Sequence, residues 1–151
     1  MKIGFVGLGN VGGKLAGSLL RNNVDLYVRD LNADLVNKFT DIGAKTCINN
    51  RVLMETCDAV ITCLPSPAAS ASVMEDKDGL LEGMSSGKIW MEMSTTDQNE
   101  VKRLGKLIYE KSGSAVDCPV SGGCHRADTG NIAIFAGCER EIFDAILPLL
   151  K

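Results

Sequence analysis

Near its amino terminus the chain has three glycines spaced G-x-G-x-x-G, in the segment Gly7-Leu8-Gly9-Asn10-Val11-Gly12. The segment follows an apolar run, residues 3–6, that is typical of a short buried strand. It leads into Val11, Leu15 and Leu19, which recur every four residues and mark one face of a helix. The glycines therefore lie on a turn from a strand to a helix. In this context, a motif that is weak by itself predicts a dinucleotide-binding turn.

Each glycine of the turn has its own physical role in such a site. Gly7 permits the tight turn, Gly9 lets a pyrophosphate approach the backbone, and Gly12 lets the helix pack closely on the strand. The free N–H groups and the positive dipole end of the helix then face the phosphates. We therefore expect all six residues of the turn to bind the dinucleotide.

A carboxylate after the next apolar run favours one dinucleotide over another. Residues 24–28 are predicted to form a second strand, and Asp30 follows it, eighteen residues after Gly12. A carboxylate there accepts hydrogen bonds from ribose hydroxyls and repels a 2′-phosphate, which favours NAD over NADP. Arg29 would instead pair with a 2′-phosphate, and Asn32 suits either cofactor, so NADP stays open. The simpler alternative makes Asp30 a solvated turn residue.

Composition excludes several other classes of protein. With 151 residues, 45% of them hydrophobic and 23% charged, the chain fits one globular domain. A formal net charge of −3 gives no basic surface for nucleic acid or for an anionic membrane. No apolar run is long enough to span a bilayer, and no secretory leader is recognisable. We expect a cytoplasmic protein, or one of the mitochondrial matrix if a transit peptide was removed.

The six cysteines and the single histidine do not indicate a metal site. No two cysteines are spaced C-x-x-C, and nothing in the spacing supplies partners for Cys124 and His125. Free, mostly buried thiols in a reducing compartment explain the cysteines better. We therefore predict that no metal is bound.

Strand-like and helix-like segments alternate along the whole chain. This pattern predicts a doubly wound, Rossmann-like α/β fold, in which a mostly parallel sheet has helices on both faces. The predicted strands lie near residues 3–6, 24–28, 44–47, 58–63, 88–92, 115–117 and 131–136. Asp97 is predicted to cap the helix after the fifth strand. Pro148 predicts a kink or a local break in the last helix, which begins near Glu139.

Three further segments stand at the ends of predicted strands, where open parallel sheets bind their ligands. They are Leu64-Pro65, Ser94-Thr95 and Asp117-Cys118-Pro119-Val120-Ser121-Gly122-Gly123, the last continued by Thr129-Gly130-Asn131-Ile132. Together with the glycine turn, and in this order, they make the chain resemble the β-hydroxyacid dehydrogenases, which include 3-hydroxyisobutyrate dehydrogenase. The resemblance extends over residues 1–151.

This resemblance implies an NAD-dependent oxidoreductase that transfers a hydride between nicotinamide and a small 3-hydroxy acid or its semialdehyde. It implies that Leu64 and Pro65 lie along the nicotinamide, and that Thr95, with Ser94, contacts the nicotinamide or the substrate. It assigns the substrate carboxylate to Ser121-Gly122-Gly123, which offer a hydroxyl and unhindered N–H donors. The simpler alternatives are a flexible loop for the latter segment and helix capping for Ser94-Thr95.

The family's general acid and base is a lysine on a helix beyond the first domain, and no residue up to Lys151 matches it. We expect the chain to be a dinucleotide-binding domain without the family's helical domain, and inactive alone. Full-length members commonly form homo-oligomers through that domain. Two alternatives stay open: a non-catalytic NAD(P)-binding module for docking or oligomerisation, and a complete enzyme with His125 as its acid. Otherwise we expect His125 and Arg126 in a solvent-facing loop.

Overall fold

A computed structural model of the chain describes residues 1–151 as an alternation of strands and helices. The strands are β1 Lys2–Val6, β2 Asp25–Arg29, β3 Lys45–Thr46, β4 Ala59–Thr62, β5 Ile89–Glu92, β6 Ser114–Asp117, β7 Val120–Ser121 and β8 Ala133–Ile134. The helices are α1 Gly12–Arg21, α2 Ala33–Asp41, α3 Asn50–Thr56, α4 Pro67–Glu75, α5 Leu80–Gly83, α6 Gln98–Glu110, α7 Gly123–Thr129 and α8 Arg140–Leu150.

The first six strands form one parallel sheet in the order β3-β2-β1-β4-β5-β6. Strand β1 lies at the centre, where Ile3 is opposite Leu26 of β2 on one side and Ala59 of β4 on the other. The direction of winding reverses between β1 and β4, and ligands of such sheets bind outside the carboxyl ends of the strands at this point. The predicted doubly wound, Rossmann-like fold is confirmed.

Both faces of the sheet are covered, so each has its own hydrophobic core. Strand β5 shows this alternation, because Met91 points into one core and Trp90 into the other. The first core includes Leu15 of α1 and Ile146 of α8, and the second is closed by helices α3 to α6. Since the central strands are buried on both sides, their carboxyl ends are the part of the sheet that stays open to a ligand.

The structure differs from the prediction after β6. The seventh strand, predicted over residues 131–136, is reduced to β8, which pairs antiparallel with β7 in a separate two-stranded sheet. His125 and Arg126, expected in a loop, lie in helix α7, because Ala127 is buried in the first core and fixes the segment against the rest of the domain. A prediction from local sequence misses a short helix that tertiary packing stabilises.

Two smaller expectations are also corrected. Helix α8 continues through Pro148 to Leu150, so the predicted break is wrong; the proline stands in the last turn, where few helical hydrogen bonds follow it. All six cysteines are free, but only Cys57 and Cys118 are buried and the other four are half-buried. No helix of the structure is both long and apolar enough to cross a membrane.

Candidate dinucleotide-binding site

A cleft of about 940 Å³ opens at the carboxyl edge of the sheet, where β1 and β4 meet. Its volume is in the range of cofactor pockets. Most of the residues predicted from the sequence line it, namely Gly7, Gly9, Asn10, Val11, Gly12, Arg29, Asp30, Leu64, Pro65, Ser94, Thr95 and Gly123. The structure does not bring Leu8, Asn32, Ser121 or Gly122 into the lining. One cleft thus collects segments that are far apart in the chain.

The glycine turn contacts its surroundings closely at two positions and leaves space at the third. A Cβ atom on Gly7 would lie 2.2 Å from the carbonyl oxygen of Cys63, and Gly7 has a φ of +99°. A Cβ atom on Gly12 would lie 2.0 Å from the carbonyl oxygen of Gly7. A Cβ atom on Gly9 would meet nothing within 4 Å. The open side of the turn at Gly9 therefore faces the cleft, as a pyrophosphate would require.

The beginning of helix α1 also fits an anion. The backbone N–H groups of Asn10, Val11 and Gly12 donate to no acceptor of the protein. Val11 is the N-cap residue and provides no side-chain cap, and the first turn contains no acidic residue. Unpaired N–H groups and the positive end of the helix dipole therefore point into the cleft without competition from a carboxylate.

Asp30 is tied to the glycine turn. Its Oδ2 atom accepts a hydrogen bond from the backbone N–H of Leu8 at 2.7 Å, and its Oδ1 atom accepts one from the N–H of Asn32 at 2.8 Å. The side chain of Leu8 is buried in the first core, so Leu8 contributes to the site through its backbone. The bond from Leu8 fixes the carboxylate against the glycine turn at the edge of the cleft, whereas the bond from Asn32 is a local one that a solvated turn residue would also make.

Arg29 and Asn32 have partners within the protein. The Arg29 guanidinium donates from Nε to Oδ1 of Asn50 at 3.1 Å and from Nη1 to the carbonyl oxygen of Cys47 at 2.5 Å. These bonds tie it to the connection between β3 and α3. The Asn32 side chain caps helix α2 by accepting from the N–H of Asp34 at 3.0 Å. Arg29 still lines the cleft, whereas Asn32 is explained by capping.

The loops that follow β4 and β5 are joined directly. The backbone N–H of Leu64 donates to Oγ of Ser94 at 2.7 Å. Ser94 is buried, whereas Thr95 is exposed. Helix α6 is capped by Asp97, as predicted, because its side chain accepts from the N–H of Glu100 at 2.9 Å. The alternative in which Ser94-Thr95 caps this helix is therefore wrong, and both residues remain available to line the cleft.

The serine and glycines predicted to bind substrate lead into helix α7. Gly122 is the N-cap residue with a φ of +134°, and Gly123 follows with a φ of +76°. Ser121 belongs to β7 and Gly123 begins α7, so the segment connects a strand directly to a helix. His125 and Arg126 are exposed as expected, but they lie on α7. No group of three or more metal-binding side chains lies close enough together to hold an ion.

Sequence reasoning missed Glu92, a fully buried carboxylate directly behind the loops that line the cleft. It accepts hydrogen bonds from the N–H of Ser94 and the hydroxyl of Ser70, both at 2.9 Å. Burial raises the pKa of Glu92, and its hydrogen bonds to Ser94, Ser70 and Thr62 act in the opposite direction. The signal in the sequence is an acid inside the apolar run 89–93.

Sequence reasoning also missed the rim of the cleft beside Asn50. The loop between α4 and α5 brings Asp76, Lys77 and Asp78 to this rim. It is held to helix α3 because the N–H of Arg51 donates to the carbonyl oxygen of Asp78 at 2.7 Å. These residues stand in a polar connection with no recognisable motif, so only the folded structure reveals that they face the cleft.

A family model described as the NAD binding domain of 6-phosphogluconate dehydrogenase matches residues 2–151. The chain belongs to this NAD-binding family. It is 33% identical over 151 residues to 2-(hydroxymethyl)glutarate dehydrogenase of Eubacterium barkeri, covering 100% of the chain and 50% of the relative. It is 30% identical over 149 residues to mitochondrial 3-hydroxyisobutyrate dehydrogenase of Mus musculus, covering 99% of the chain and 44% of the relative. The chain spans about half the length of these relatives.

Solved structures share the fold of the chain. The crystal structure of 3-hydroxyisobutyrate dehydrogenase (ygbJ) from Salmonella typhimurium has a TM-score of 0.90 at 26% identity, covering 99% of the chain and 52% of that protein. A structure described as Psf3 in complex with NADP+ and 2-OPP has a TM-score of 0.93 at 23% identity, with coverages of 98% and 52%. The predicted resemblance to the hydroxyacid dehydrogenases is confirmed.

Proposed function

We propose that the chain is the cofactor-binding half of an NAD-dependent 3-hydroxy acid dehydrogenase. The whole protein interconverts a small 3-hydroxy acid, of the 3-hydroxyisobutyrate type, and its semialdehyde. The observation that carries this proposal is the cleft, in which the glycine turn, Asp30 and the loops after β4 and β5 surround one volume at the switch point of the sheet. The names of the relatives support the class of substrate.

In the proposed arrangement, the cofactor lies across the carboxyl edge of the sheet. The pyrophosphate accepts hydrogen bonds from the unpaired N–H groups at the start of α1, and Asp30 accepts them from the adenosine ribose. Leu64, Pro65 and Thr95 then border the nicotinamide. When bound, the nicotinamide supplies or accepts the hydride. The residues of this chain bind and orient it, and Ser121-Gly122-Gly123 bind the substrate carboxylate.

The charges around the cleft favour NAD over NADP. Asp30 stands where a 2′-phosphate would lie, and Asp76 and Asp78 add negative charge to the neighbouring rim. Arg29 is partly occupied by Asn50 and the carbonyl of Cys47. Arg29 and Lys77 are the two cations that line the cleft, neither has a salt-bridge partner, and together they do not balance the three carboxylates. Like-charge repulsion would therefore weaken the binding of the 2′-phosphate.

The proton that accompanies the hydride must come from elsewhere in the whole protein. Lys77 is the one lysine that lines the cleft, and it lies at the rim beside Asn50, away from the loops proposed to border the nicotinamide. We propose that a helical second domain supplies the lysine that acts as general acid and base. The same domain would complete the substrate pocket and mediate homo-oligomer formation. We propose a reducing compartment, the cytoplasm or the mitochondrial matrix.

Two measurements test the proposal together. The chain alone should bind NADH in a fluorescence titration and show no turnover, whereas the full-length protein should oxidise at least one acid from a panel of 3-hydroxy acids. NAD+ should support that oxidation better than NADP+, and Asp30→Ala should reduce this preference. Absence of NADH binding at millimolar concentration would overturn the cofactor assignment. NADH binding by a full-length protein that oxidises no acid would favour the non-catalytic binding module instead.

A further inference from the structure

Glu92 is the point at which several elements behind the cleft meet. The residue ends strand β5 and is 0% exposed. Its Oε1 atom accepts from the N–H of Ser94 at 2.9 Å, and its Oε2 atom accepts from the hydroxyl of Ser70, on helix α4, at 2.9 Å. One carboxylate therefore connects the loop after β5 with the helix that follows β4.

Two further hydroxyl groups complete this arrangement. Ser94 Oγ accepts from the N–H of Leu64 at 2.7 Å, and Thr62 Oγ1 accepts from Nε1 of Trp90 at 2.9 Å. Each hydroxyl keeps its own hydrogen to donate, and both act to lower the pKa of Glu92 against the effect of burial. Each carboxylate oxygen therefore accepts one hydrogen bond, Oε1 from the N–H of Ser94 and Oε2 from the hydroxyl of Ser70, which is the condition for a buried carboxylate to be tolerated.

Glu92 and its hydrogen-bond partners support only one end of the cleft. Through Ser94, Glu92 reaches the backbone of Leu64, and so it joins the segments Leu64-Pro65 and Ser94-Thr95, which line the cleft. At the other end, Asp30 and the glycine turn are held by the bond from Leu8 and have no hydrogen bond to Glu92 or its partners. The two ends of the cleft are therefore fixed by separate sets of hydrogen bonds.

We infer that Glu92 is a positioning residue that holds the loops after β4 and β5 in the geometry that receives the nicotinamide. This inference rests on the proposed cofactor arrangement. Glu92 is shielded by these loops, so it acts through Ser94. Replacing Glu92 by methionine, which has a similar length and no strong acceptor, would leave the N–H of Ser94 and the hydroxyl of Ser70 without their partner. The loops would then shift, while the adenosine and pyrophosphate end keeps its own support.

The test compares two ligands that differ in one part. Both contain the adenosine, the pyrophosphate and the second ribose. NADH also has the nicotinamide, which ADP-ribose lacks. We expect Glu92→Met to weaken NADH about tenfold and to leave the affinity for ADP-ribose within about twofold, in isothermal titrations of the chain. A purely structural role would weaken both ligands alike or neither.

Two further variants keep the test decisive. Ser70→Ala removes one donor from the carboxylate and should lower the NADH to ADP-ribose affinity ratio by about threefold even if Glu92→Met does not fold. Ile108→Val creates a small defect in the second core, away from the cleft, and should lower Tm without changing the ratio.

The possible outcomes separate the inference from the proposed function. If the wild-type chain binds neither ligand, both fail. If it binds NADH more tightly than ADP-ribose, and both Glu92→Met and Ser70→Ala keep that ratio, only the inference fails. Equal binding of the two ligands by the wild-type chain also overturns it, because the loops then contribute nothing to affinity.

Discussion

Gly9 and Gly12 belong to one motif, but a glycine is required at each position for a different reason. The Cβ position of Gly12 is blocked by the backbone of Gly7, so Gly12 is required by the fold itself. The Cβ position of Gly9 is open, so nothing within the protein requires a glycine there. A glycine is required at this position only if a ligand approaches the backbone from the cleft. The motif therefore combines a structural requirement with a binding requirement.

Paired alanine variants should separate these two requirements. Gly12→Ala must displace a carbonyl oxygen 2.0 Å from the new Cβ atom, and we expect it to lower the free energy of unfolding by about 2 kcal/mol. Gly9→Ala should leave stability nearly unchanged and weaken NADH about tenfold or more, because its methyl group enters the space of the pyrophosphate. Urea unfolding and NADH titration measure the two effects. Wild-type affinity in Gly9→Ala would contradict the assigned path of the pyrophosphate.

The residues of the site could be predicted where a local sequence pattern indicates them. The glycine turn and Asp30 stand at fixed distances from predicted strands, and the structure brings them to one cleft. The bond from Leu8 to Asp30 was not predictable, because it depends on how β1 and β2 pair. Glu92 was missed for a similar reason: an acid at the end of an apolar strand is expected at the surface, and its donors come from three different segments.

At the scale of helices and strands, prediction succeeded for elements whose own sequence marks where they begin. Helix α6 is an example, since Asp97 caps it and an apolar face follows. Helix α7 has no such signal: it begins at a glycine N-cap without a side-chain cap and has only seven residues. The short strands β7 and β8 have two residues each. Elements this short are stabilised by their tertiary neighbours, so their own sequences carry little information.

The contribution of the N-cap of α6 to stability can be measured directly. Asp97→Ala removes the acceptor of the Glu100 N–H, and we expect the free energy of unfolding to fall by about 1 kcal/mol. Asp97→Asn keeps a capping oxygen and should stay close to the wild type. Urea unfolding of the three proteins checks this expectation. Equal loss in the two variants would mean that the negative charge near the helix dipole, and not the capping bond, provides the stabilisation.

At the scale of the whole molecule, the second core encloses a titratable group far from the cleft opening. Cys57 is fully buried there, and burial raises its pKa from 9.0 to about 12. In the unfolded chain the thiol ionises at its ordinary pKa. The folded state therefore keeps a proton that the unfolded state releases at alkaline pH, and the contribution of Cys57 to stability is lost as the pH rises from about 9 toward 12.

We therefore expect the free energy of unfolding to fall steadily above pH 9, and less steeply in Cys57→Ser. Burial also raises the pKa of Cys63, to about 11, and that of Cys118, so part of the slope should remain in this variant. Urea unfolding of both proteins at a series of alkaline pH values gives the two slopes. Identical slopes would show that Cys57 ionises equally in the folded and unfolded states.

The reversal of winding between β1 and β4 divides the sheet into two halves that share one hydrogen-bonded seam. The glycine turn and Asp30 follow strands of one half, whereas Leu64-Pro65 and Ser94-Thr95 follow strands of the other. A ligand that fills the whole cleft must bridge this seam, and its binding free energy adds to the cohesion between the halves. The extended cofactor thus links the two halves of the sheet, and a fragment confined to one half would add nothing to their cohesion.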